Sequence, residues 1–591
     1  MLTEMEQVVL SYPKIKKRLE DQGKDKNTSK VLKNLKEIAA TYSNSTITNI
    51  TKFLDISLTK MYDGININFD KNVNLKKLVA ENHVILVPNH QSHADYIALN
   101  YKIFKDYNIP TYSAGGKNLD IFPIGKLFRN SGCFFIRRSF HNDILYKLTL
   151  EAYLFYLLGE GKLIEFFFEG GRSRNGKLLP PRFGLYHMLL ESHCYLPENK
   201  KKNLLFLPVS IVHEYVPEQK ALARELAGDK KTKETPMQLL KLFKLFSYQL
   251  GSIHINISAP INSTFNLDNN IKTFTQDLAF DCFRAVGARM VVTPTSLLAL
   301  ILLDAPVGAM KWEEIKEKAD SILKFCSSFN IPITTSLNKK NVQVGLERAL
   351  DILINNKKID VIGSTGQGHV FYSINKNSRM EILYFKNTII HHFLVPWIIN
   401  SSLNDLFGGK IKTKKDLSKK FLTLRRQLKY EFYLPTVKQF FVKAMEIISA
   451  SIKRDVKDLD DCLGLSHQEL FVLSSQLGVF NRICNYFVEG YFIGAMAVNI
   501  LDNNPQSEFK MDQFLKKSKD VFEQQIELAR VVKFVESYSL LVIKNGLKYL
   551  INQNIVENNI GVYKVIDKSK LELLINYYES SLVPKTKIIM R

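Results

Sequence analysis

The sequence predicts an α/β protein in which a mixed or parallel sheet is covered by helices and flanked by mainly helical N-terminal and C-terminal regions. Between about residues 76 and 305, short apolar runs alternate with helical patterns. The runs are HVILVP at 83–88, CFFIR at 133–137, LIEFFF at 163–168 and LLFLPVSIV at 204–212. Continuous apolar strands separated by helices are typical of a sheet that is buried on both faces.

The chain of 591 residues is too long for one hydrophobic core. Residues 1–75 are predicted to form an N-terminal helical region, because apolar residues such as Leu32, Leu35 and Ile38 recur at a helical period. Residues 76–305 contain the predicted sheet. Residues 306–591 are predicted to form a mainly helical C-terminal domain with a β-hairpin near 359–374. We therefore predict three regions, of which the middle one carries the functional site.

The charge of the chain indicates an anionic partner. Lys and Arg number 81 against 58 Asp and Glu, so the formal net charge is +23. Such an excess is typical of proteins that bind nucleic acid, acidic lipid headgroups or phosphorylated small molecules. The chain contains no recognised nucleic-acid-binding motif, so we expect no nucleic acid partner. The most apolar segment, 290–303, is too short to cross a bilayer of about 30 Å.

The first candidate site follows the apolar run at 83–88. His90 lies just beyond that predicted strand, where open α/β sheets place their ligands, and Asp95 falls in the first turn of a predicted helix. A carboxylate there can bind one imidazole nitrogen and leave the other nitrogen as a base. The alternative is that Ser92 and Asp95 form a helix capping box and that His90 is an ordinary strand-end histidine.

Glycines and arginines follow the run at 163–168, in the sequence Glu169-Gly170-Gly-Arg172-Ser-Arg174. Glycine lets the backbone come close to a ligand. Two arginines at alternate positions can both reach one phosphate, and their forked donors suit it. The alternative is that these arginines are simply solvated.

Two further blocks complete the set of strand-end candidates. Arg137 is the last residue of the run at 133–137, and Arg138 follows it directly. Pro208 interrupts the run at 204–212. In this order the four blocks resemble the four motifs of the glycerol-3-phosphate and dihydroxyacetone-phosphate acyltransferase family, closest to its bacterial membrane-bound glycerol-3-phosphate members. The resemblance covers residues 50–300 closely and the remainder loosely.

The resemblance implies a reaction and a role for each motif. His90, oriented by Asp95, would act as general base on the sn-1 hydroxyl of glycerol 3-phosphate. The hydroxyl oxygen would attack the thioester of acyl-CoA or acyl-acyl carrier protein and give 1-acyl-glycerol 3-phosphate, the first step of glycerophospholipid synthesis, without a covalent acyl-enzyme. The implied substrate-binding residues are Arg138, Glu169, Gly170, Arg172, Arg174, Arg137 and Pro208. No metal is expected, and no cofactor beyond the acyl co-substrate.

Two other functions stay open on the sequence. One is acylation of dihydroxyacetone phosphate, although Gly170-Gly171 and the Gly115-Gly116-Lys-Asn-Leu119 block favour glycerol 3-phosphate within the family. The other is a basic peripheral membrane protein without catalysis. The chain also departs from many relatives, with Gln91 in place of Arg after the motif histidine, and His213-Glu-Tyr in place of Tyr-Glu-His.

The same resemblance and the basic charge predict an enzyme associated with the cytoplasmic face of the cell membrane, peripheral or monotopic, in contact with anionic lipids. Within 410–429, nine basic residues accompany one acid, Asp416, and several leucines at near-helical spacing. The segment can be the solvated basic face of a helix that packs its leucines inward. Alternatively, it is a helix that rests on anionic lipid.

Overall fold

A computed structural model of the chain describes residues 2–22, 24–139, 143–227, 250–263, 270–305, 308–363, 370–432, 434–502, 508–531 and 534–589. The chain forms two compact units. The first unit comprises Met1–Ser173, Leu178–Pro217 and Thr232–Val291. The second comprises Arg174–Lys177, Glu218–Lys231 and Val292–Arg591. The three-region division at residues 75 and 305 stays a prediction.

The described strands lie in three sheets. In chain order they are β1 (Gly64–Phe69), β2 (His83–Pro88), β3 (Thr111–Gly116), β4 (Cys133–Ile136), β5 (Leu163–Glu165), β6 (Leu204–His213), β7 (Ser252–Ile257), β8 (Ile261–Asn262), β9 (Ala309–Lys311), β10 (Ile359–Ile362), β11 (Phe371–Ile374), β12 (Glu508–Lys510), β13 (Val556–Asn559) and β14 (Val562–Val565). The first eight strands form one sheet in the first unit.

The described α-helices occupy most of the remaining chain. In order they are α1 (Glu4–Ser11), α2 (Pro13–Gln22), α3 (Lys24–Ile38), α4 (Asn44–Met61), α5 (Leu75–Glu81), α6 (Ala94–Tyr107), α7 (Ile124–Asn130), α8 (Ile144–Gly159), α9 (Gly184–Cys194), α10 (Gln219–Ala227), α11 (Ile271–Arg289), α12 (Pro294–Leu302), α13 (Trp312–Ser328), α14 (Val342–Asn355), α15 (Arg379–Ile389), α16 (Leu394–Phe407), α17 (Lys414–Leu428), α18 (Val437–Ile452), α19 (Leu459–Leu463), α20 (His467–Leu477), α21 (Asn485–Asp502), α22 (Met511–Glu527), α23 (Phe534–Ser537), α24 (Leu540–Asn552) and α25 (Lys568–Ile589).

The large sheet is mixed, which confirms the predicted fold class. Its strand order is β1-β7-β6-β2-β5-β3-β4, with β8 paired to β6. Strands β2 to β6 run parallel to their neighbours in this series, whereas β7 and β8 run antiparallel to β6. Every residue of β2 and β6 is buried, as their uninterrupted apolar runs predict. Within the same unit, α8 packs against α9, and α11 packs against β6 and α9.

The helical prediction for residues 1–75 is wrong at one place. Residues 64–69 form β1, which pairs in parallel with β7 so that Ile65 lies opposite Ile253 and Ile67 opposite Ile255. Isoleucines and a phenylalanine occupy every second position of GININF, the period of a strand. The preceding helical pattern is confirmed as α4. This alternation spans only six residues, which is too short to distinguish an edge strand from the helical pattern before it.

The parallel arrangement brings four strand ends to one edge of the sheet. The carboxyl ends of β2, β4, β5 and β6 lie on the same side because β2 is parallel to β5 and β6, and β3 is parallel to β4 and β5. Open α/β sheets bind their ligands beyond such ends. Three of the four sequence motifs follow these carboxyl ends, whereas the fourth contains Pro208 within β6.

The second unit is mainly helical and contains two small sheets, β10-β11-β9 and β12-β14-β13. Strands β10 and β11 pair antiparallel, with Ile359 opposite Ile374, and the glycine-rich segment 364–369 between them lies outside the described residues. Helix α12 is buried along its whole length. The apolar segment near 290–303 is thus largely interior and offers little surface to a membrane.

Helix α17 contains most of the basic segment 410–429. Its apolar residues Leu417, Phe421, Leu424 and Leu428 are buried in the second unit. Lys415, Lys419 and Arg426 are exposed. Lys414 forms an ion pair with Asp460 at 2.5 Å, and the half-buried Lys420 forms one with Asp405 at 2.7 Å. This packing favours the first interpretation of the segment, a solvated basic face, because its leucines are already buried in the protein interior.

Among the residues that the structure describes, one helical stretch of the second unit, Lys376–Phe407, is long and apolar enough to cross a membrane. Two consecutive helical segments, His467–Phe480 and Asn485–Asp502, are together also long and apolar enough, with a bend of 80° between them. Of the apolar window in Lys376–Phe407, 89% is buried inside the protein. Core helices of soluble proteins pass this test as well, so these segments are weak evidence for a membrane span.

Candidate active site

His90 and Asp95 form a hydrogen-bonded pair at the carboxyl end of β2. The Nδ1 of His90 lies 2.8 Å from Oδ2 of Asp95. The aspartate is fully buried, whereas 13% of the histidine side chain is exposed. Helix α6 begins at Ala94 with His93 as its N-cap residue and without a side-chain cap bond. Of the capping box that the sequence left open, the aspartate half is present, since Asp95 Oδ2 accepts the Ser92 N–H at 2.9 Å, whereas Ser92 Oγ accepts the N–H of Ala94 at 3.1 Å. The aspartate binds the imidazole as well.

The carboxylate of Asp95 is ionised in the folded protein. Burial acts to raise its pKa, but hydrogen bonds from His213 and His90 hold that pKa well below its usual range. Its Oδ2 also accepts the main-chain N–H of Gln91 at 2.6 Å and of Ser92 at 2.9 Å. Because an ionised carboxylate only accepts hydrogen bonds, Nδ1 of His90 donates to it, and Nε2 is the ring nitrogen that does not bind Asp95.

The loop that follows β5 holds the main chain of His90 from the other side. Oε1 of Glu169 accepts the His90 main-chain N–H at 3.1 Å, and Ser173 N–H donates to the His90 carbonyl at 2.8 Å. Gly170, at φ +66°, makes the turn, and a Cβ there would lie 3.0 Å from Cγ of Arg182. Burial raises the pKa of the Glu169 carboxyl well above its usual value. The first and third motifs are thus directly connected.

Asn89 connects the same loop to β6. Its side-chain amide donates to the Ile211 carbonyl at 3.0 Å and accepts the Ile211 main-chain N–H at 2.7 Å. The imidazole of His90 also packs against the ring of Phe167, with centroids 4.2 Å apart. Pro208 is a buried residue within β6 opposite Val87 of β2, so its contribution is to the strand that carries this bridge. A direct contact of Pro208 with substrate stays a prediction.

His213, the last residue of β6, is a member of this site that the sequence reasoning missed. Its Nε2 lies 2.5 Å from Oδ1 of Asp95, and its side chain is fully buried. The signal was present as the His213-Glu-Tyr departure at the end of a buried strand. Its meaning required the knowledge that β6 lies beside β2 in parallel.

Two of the motif arginines, Arg137 and Arg174, form ion pairs with carboxylates. Arg137 is held by Glu37 through two bonds of 2.8 Å and by Asp143 at 3.1 Å, and its guanidinium lies over the ring of Tyr146. These contacts explain a structural role for Arg137. Whether it also binds substrate stays a prediction.

The remaining motif arginines belong to two different units. Arg138 is exposed just beyond β4, and Arg172 is half-buried beyond β5, both in the first unit. Arg174 is exposed in the second unit, where its Nε lies 3.1 Å from Oε2 of Glu225. The structure therefore carries Arg138 and Arg172 on strand ends of one sheet edge, and it assigns Arg174 to the other unit.

A third buried carboxyl, that of Glu165, lies at the end of β5. Burial raises the pKa of Glu165 to about 7, against hydrogen bonds from Ser113 and Asn100 that act to lower it. The folded protein therefore retains this proton between pH 4.5 and 7, while the unfolded chain releases it. The free energy of unfolding falls across that window for this reason, by at most about 1.4 kcal/mol per pH unit.

We expect Glu165→Gln to remove this contribution. Measured by thermal unfolding, the variant should gain stability relative to the wild type as the pH rises from 4.5 to 7, and the difference should level off above pH 7. Glu160→Gln, which removes a partly exposed carboxylate 3.2 Å from Lys200, serves as the matched control. A difference between Glu165→Gln and wild type that is constant with pH would contradict the assignment.

Comparison with known proteins agrees with this geometry. Residues 66–212 match the family model described as Acyltransferase, and residues 222–559 match the one described as Glycerol-3-phosphate acyltransferase C-terminal region. The first match covers the sheet edge with His90, Asp95 and the strand-end arginines. Together the fold, the histidine–aspartate pair and this match define an acyltransferase domain.

The second match decides the family. It spans more than half of the chain, and the chain belongs to the glycerol-3-phosphate acyltransferase family. The glycerol-3-phosphate acyltransferase of Pseudoalteromonas translucida is 31% identical over 417 residues, which are 66% of this chain and 50% of that protein. That of Haemophilus influenzae is 29% identical over the same shares. The chain thus spans about half the length of the curated relatives it matches.

A solved structure, the 1-acyl-sn-glycerophosphate acyltransferase of Thermotoga maritima, is also similar. It is 13% identical, covers 48% of this chain and 95% of its own, and has a TM-score of 0.24. A similarity at that level supports no argument about function.

Proposed function

We propose that this protein transfers a fatty acyl group from an acyl thioester to the sn-1 hydroxyl of glycerol 3-phosphate. The observation that carries the proposal is the pair formed by His90 and Asp95, with a hydrogen bond of 2.8 Å at Nδ1. Among the described residues, Nε2 of His90 makes no hydrogen bond and is the nitrogen that can take a proton. Membership of the glycerol-3-phosphate acyltransferase family supports the choice of substrates.

The proposed reaction begins when Nε2 of His90 removes the proton of the sn-1 hydroxyl. The oxygen attacks the thioester carbonyl, and the tetrahedral intermediate collapses to the ester and a thiolate, which takes the proton back from the imidazolium. The ionised Asp95 stabilises the imidazolium and keeps its orientation. The donor is acyl-CoA or acyl-acyl carrier protein, and the product is 1-acyl-glycerol 3-phosphate.

Direct attack is favoured over a covalent acyl-enzyme. Burial raises the pKa of the Cys133 thiol to about 12, so the thiolate that a nucleophilic cysteine requires is not available at neutral pH. Ser92 and Ser173 are buried, and the main chain of each is used to hold the histidine or its carboxylate. The nucleophile in our proposal is therefore the substrate hydroxyl.

Arg138 and Arg172 are proposed to bind the phosphate of the acceptor. A dianionic phosphate needs several cationic donors, and arginine offers forked pairs of them. Both residues lie beyond parallel strands whose carboxyl ends share an edge with His90. Glu169 and Gly170 are proposed to act on this site by shaping the loop that carries Arg172.

The test is an acyl-transfer assay of the full chain with two acceptors and two donors. We expect turnover with glycerol 3-phosphate and a 1-acyl product, and at most slow turnover with dihydroxyacetone phosphate. Acyl-CoA and acyl-acyl carrier protein of several chain lengths identify the donor. Turnover restricted to dihydroxyacetone phosphate would select the alternative acceptor. Lipid binding without any turnover would support the non-catalytic alternative.

We also propose that the protein binds to the cytoplasmic surface of an anionic membrane through the first unit. Large apolar side chains are exposed on α4 and around α7, and these two helices pack on each other. We call this set the apolar face; it consists of Phe53, Ile56, Ile121, Phe122 and Leu127, which are 51%, 62%, 42%, 82% and 44% exposed. Exposed apolar patches on a soluble surface mark interaction sites.

The charges around the apolar face fit an anionic bilayer. Lys52, Lys60 and Lys126 on the same two helices are exposed and form no ion pair among the described residues. The nearby acids are neutralised, because Asp55 is bonded to Lys105 and Asp120 is bonded to Arg129 at 2.7 Å. Basic residues close to an anionic surface contribute about 1 kcal/mol each.

We expect Phe122→Ser to weaken binding to anionic liposomes about tenfold, and Ile56→Ser with Phe122→Ser to weaken it further, because burial of one large apolar side chain contributes about 1.5–3 kcal/mol. Cosedimentation with liposomes measures this loss. Phe471→Ser is the matched control, since Phe471 is 69% exposed on α20 of the second unit. Equal losses in both variants, or none in either, would contradict the assignment of the membrane surface.

A further inference from the structure

His213 occupies a position at the sheet edge that mirrors that of His90. It ends β6, as His90 follows the end of β2, and the two strands are adjacent and parallel. Nε2 of His213 lies 2.5 Å from Oδ1 of Asp95, and Nδ1 of His90 lies 2.8 Å from Oδ2 of the same residue. Two histidines therefore share one buried carboxylate.

The two oxygens of Asp95 have unequal sets of donors. Oδ2 accepts from His90 and from the main-chain N–H groups of Gln91 and Ser92. Within the described part of the chain, Oδ1 accepts from His213 alone. An ionised carboxylate has about four acceptor sites, so these four donors satisfy it. His213 is the single donor that holds the second oxygen.

The surroundings of His213 also select its tautomer. Because the Asp95 carboxylate is ionised, Nε2 of His213 must carry the hydrogen that it donates. The other ring nitrogen, Nδ1, is buried and has no hydrogen-bond partner among the described residues. A buried N–H group without an acceptor is unfavourable. Nε2 is therefore the donor nitrogen of His213 in this position.

We infer that His213 is a positioning residue for the acyl transfer: its hydrogen bond fixes the Asp95 carboxylate in the rotation that binds Nδ1 of His90. This inference rests on the proposed function, because the role of His213 is defined through the base. His213 does not touch the reacting atoms in this scheme. Without it, the carboxylate loses its donor to Oδ1, and only the three donors to Oδ2 still hold its rotation relative to the imidazole of His90.

The kinetic consequence is a loss in the chemical step. We expect His213→Phe, which keeps an aromatic ring and removes the donor, to lower kcat about 10- to 100-fold, the range that follows from losing one hydrogen bond to a charged group. The KM for glycerol 3-phosphate should change less than about twofold, since the phosphate is assigned to arginines. His213→Gln retains an N–H donor at a similar reach and should recover most of kcat.

A double-mutant cycle separates this role from a merely structural one. If His213 acts through Asp95, adding His213→Phe to Asp95→Ala should change the residual kcat less than about twofold, because the partner is already absent. Independent, multiplicative losses in kcat would overturn the proposal. Unaltered kcat in a folded His213→Phe variant would overturn it as well. His213→Met, of smaller volume and also without a donor, replaces the phenylalanine variant if that variant does not fold.

The same four proteins provide a measurement that does not depend on turnover. Thermal unfolding of wild type, His213→Phe, Asp95→Ala and the double variant tests whether the two side chains are coupled in the folded protein. A coupled unfolding cycle together with a wild type that shows no acyl transfer would refute the proposed function and leave the contact established. An active wild type in which the two substitutions lower kcat independently of each other would refute only the positioning role.

Discussion

Replacing His90 by alanine is expected to lower kcat for acyl transfer to glycerol 3-phosphate about 10²- to 10⁴-fold, the usual loss when a general base is removed. The fold should persist, because 13% of the side chain is exposed and the loop is held by main-chain bonds to Glu169 and Ser173. Steady-state kinetics and thermal unfolding on the same preparation measure both quantities.

Asp95→Ala should lower kcat less than His90→Ala, since the base remains but loses its orientation. It should also reduce stability, because three N–H donors and His213 lose a buried acceptor. His187→Ala is a suitable control, as His187 is a partly exposed histidine of the same unit that is paired with Glu191 at 3.5 Å. Full activity of the His90 variant would end the general-base proposal.

Arg138→Ala and Arg172→Ala are expected to raise the KM for glycerol 3-phosphate, each at a cost of about 1.5–3 kcal/mol for one lost hydrogen bond to a charged group. The KM for the acyl donor should stay close to that of the wild type. With unphosphorylated glycerol as acceptor, the kcat/KM of the two variants should equal that of the wild type, because glycerol has no phosphate for either arginine to bind.

The lysine variants sharpen this test. Lysine keeps the charge but lacks the forked donors, so Arg138→Lys and Arg172→Lys should recover only part of the affinity. Arg137→Ala provides the contrast within the same motif, because Arg137 is bonded to Glu37 and Asp143. Its main effect should be a lower unfolding temperature. An increase in the acyl-donor KM instead would assign Arg138 and Arg172 to the thioester's site.

The local pattern of the chain was enough to find the central strands. The run at 83–88 coincides with β2, and the run at 204–212 lies within β6, because strands buried on both faces must be apolar at every position. Prediction was less accurate where hydrogen bonding with a neighbour decides the outcome. β5 ends at Glu165 although apolar residues continue to Phe168, and β1 exists because β7 pairs with it.

The sequence by itself determined which chemistry is available: a histidine and an aspartate five residues apart after one strand, and arginines after two others. Their local spacing sufficed because His90 and Asp95 belong to one loop and one helical turn. Tertiary structure alone decided the rest, since it depends on which strands are neighbours. Adjacent β2 and β6 bring His213, which is 118 residues from Asp95, to the second oxygen of its carboxylate. Glu37, 100 residues from Arg137, occupies that guanidinium in the same way. A buried charged group is stable only with hydrogen-bond partners, and those partners come from whichever strands and helices the fold places beside it. The residues close to it in the sequence therefore do not indicate which partners these are.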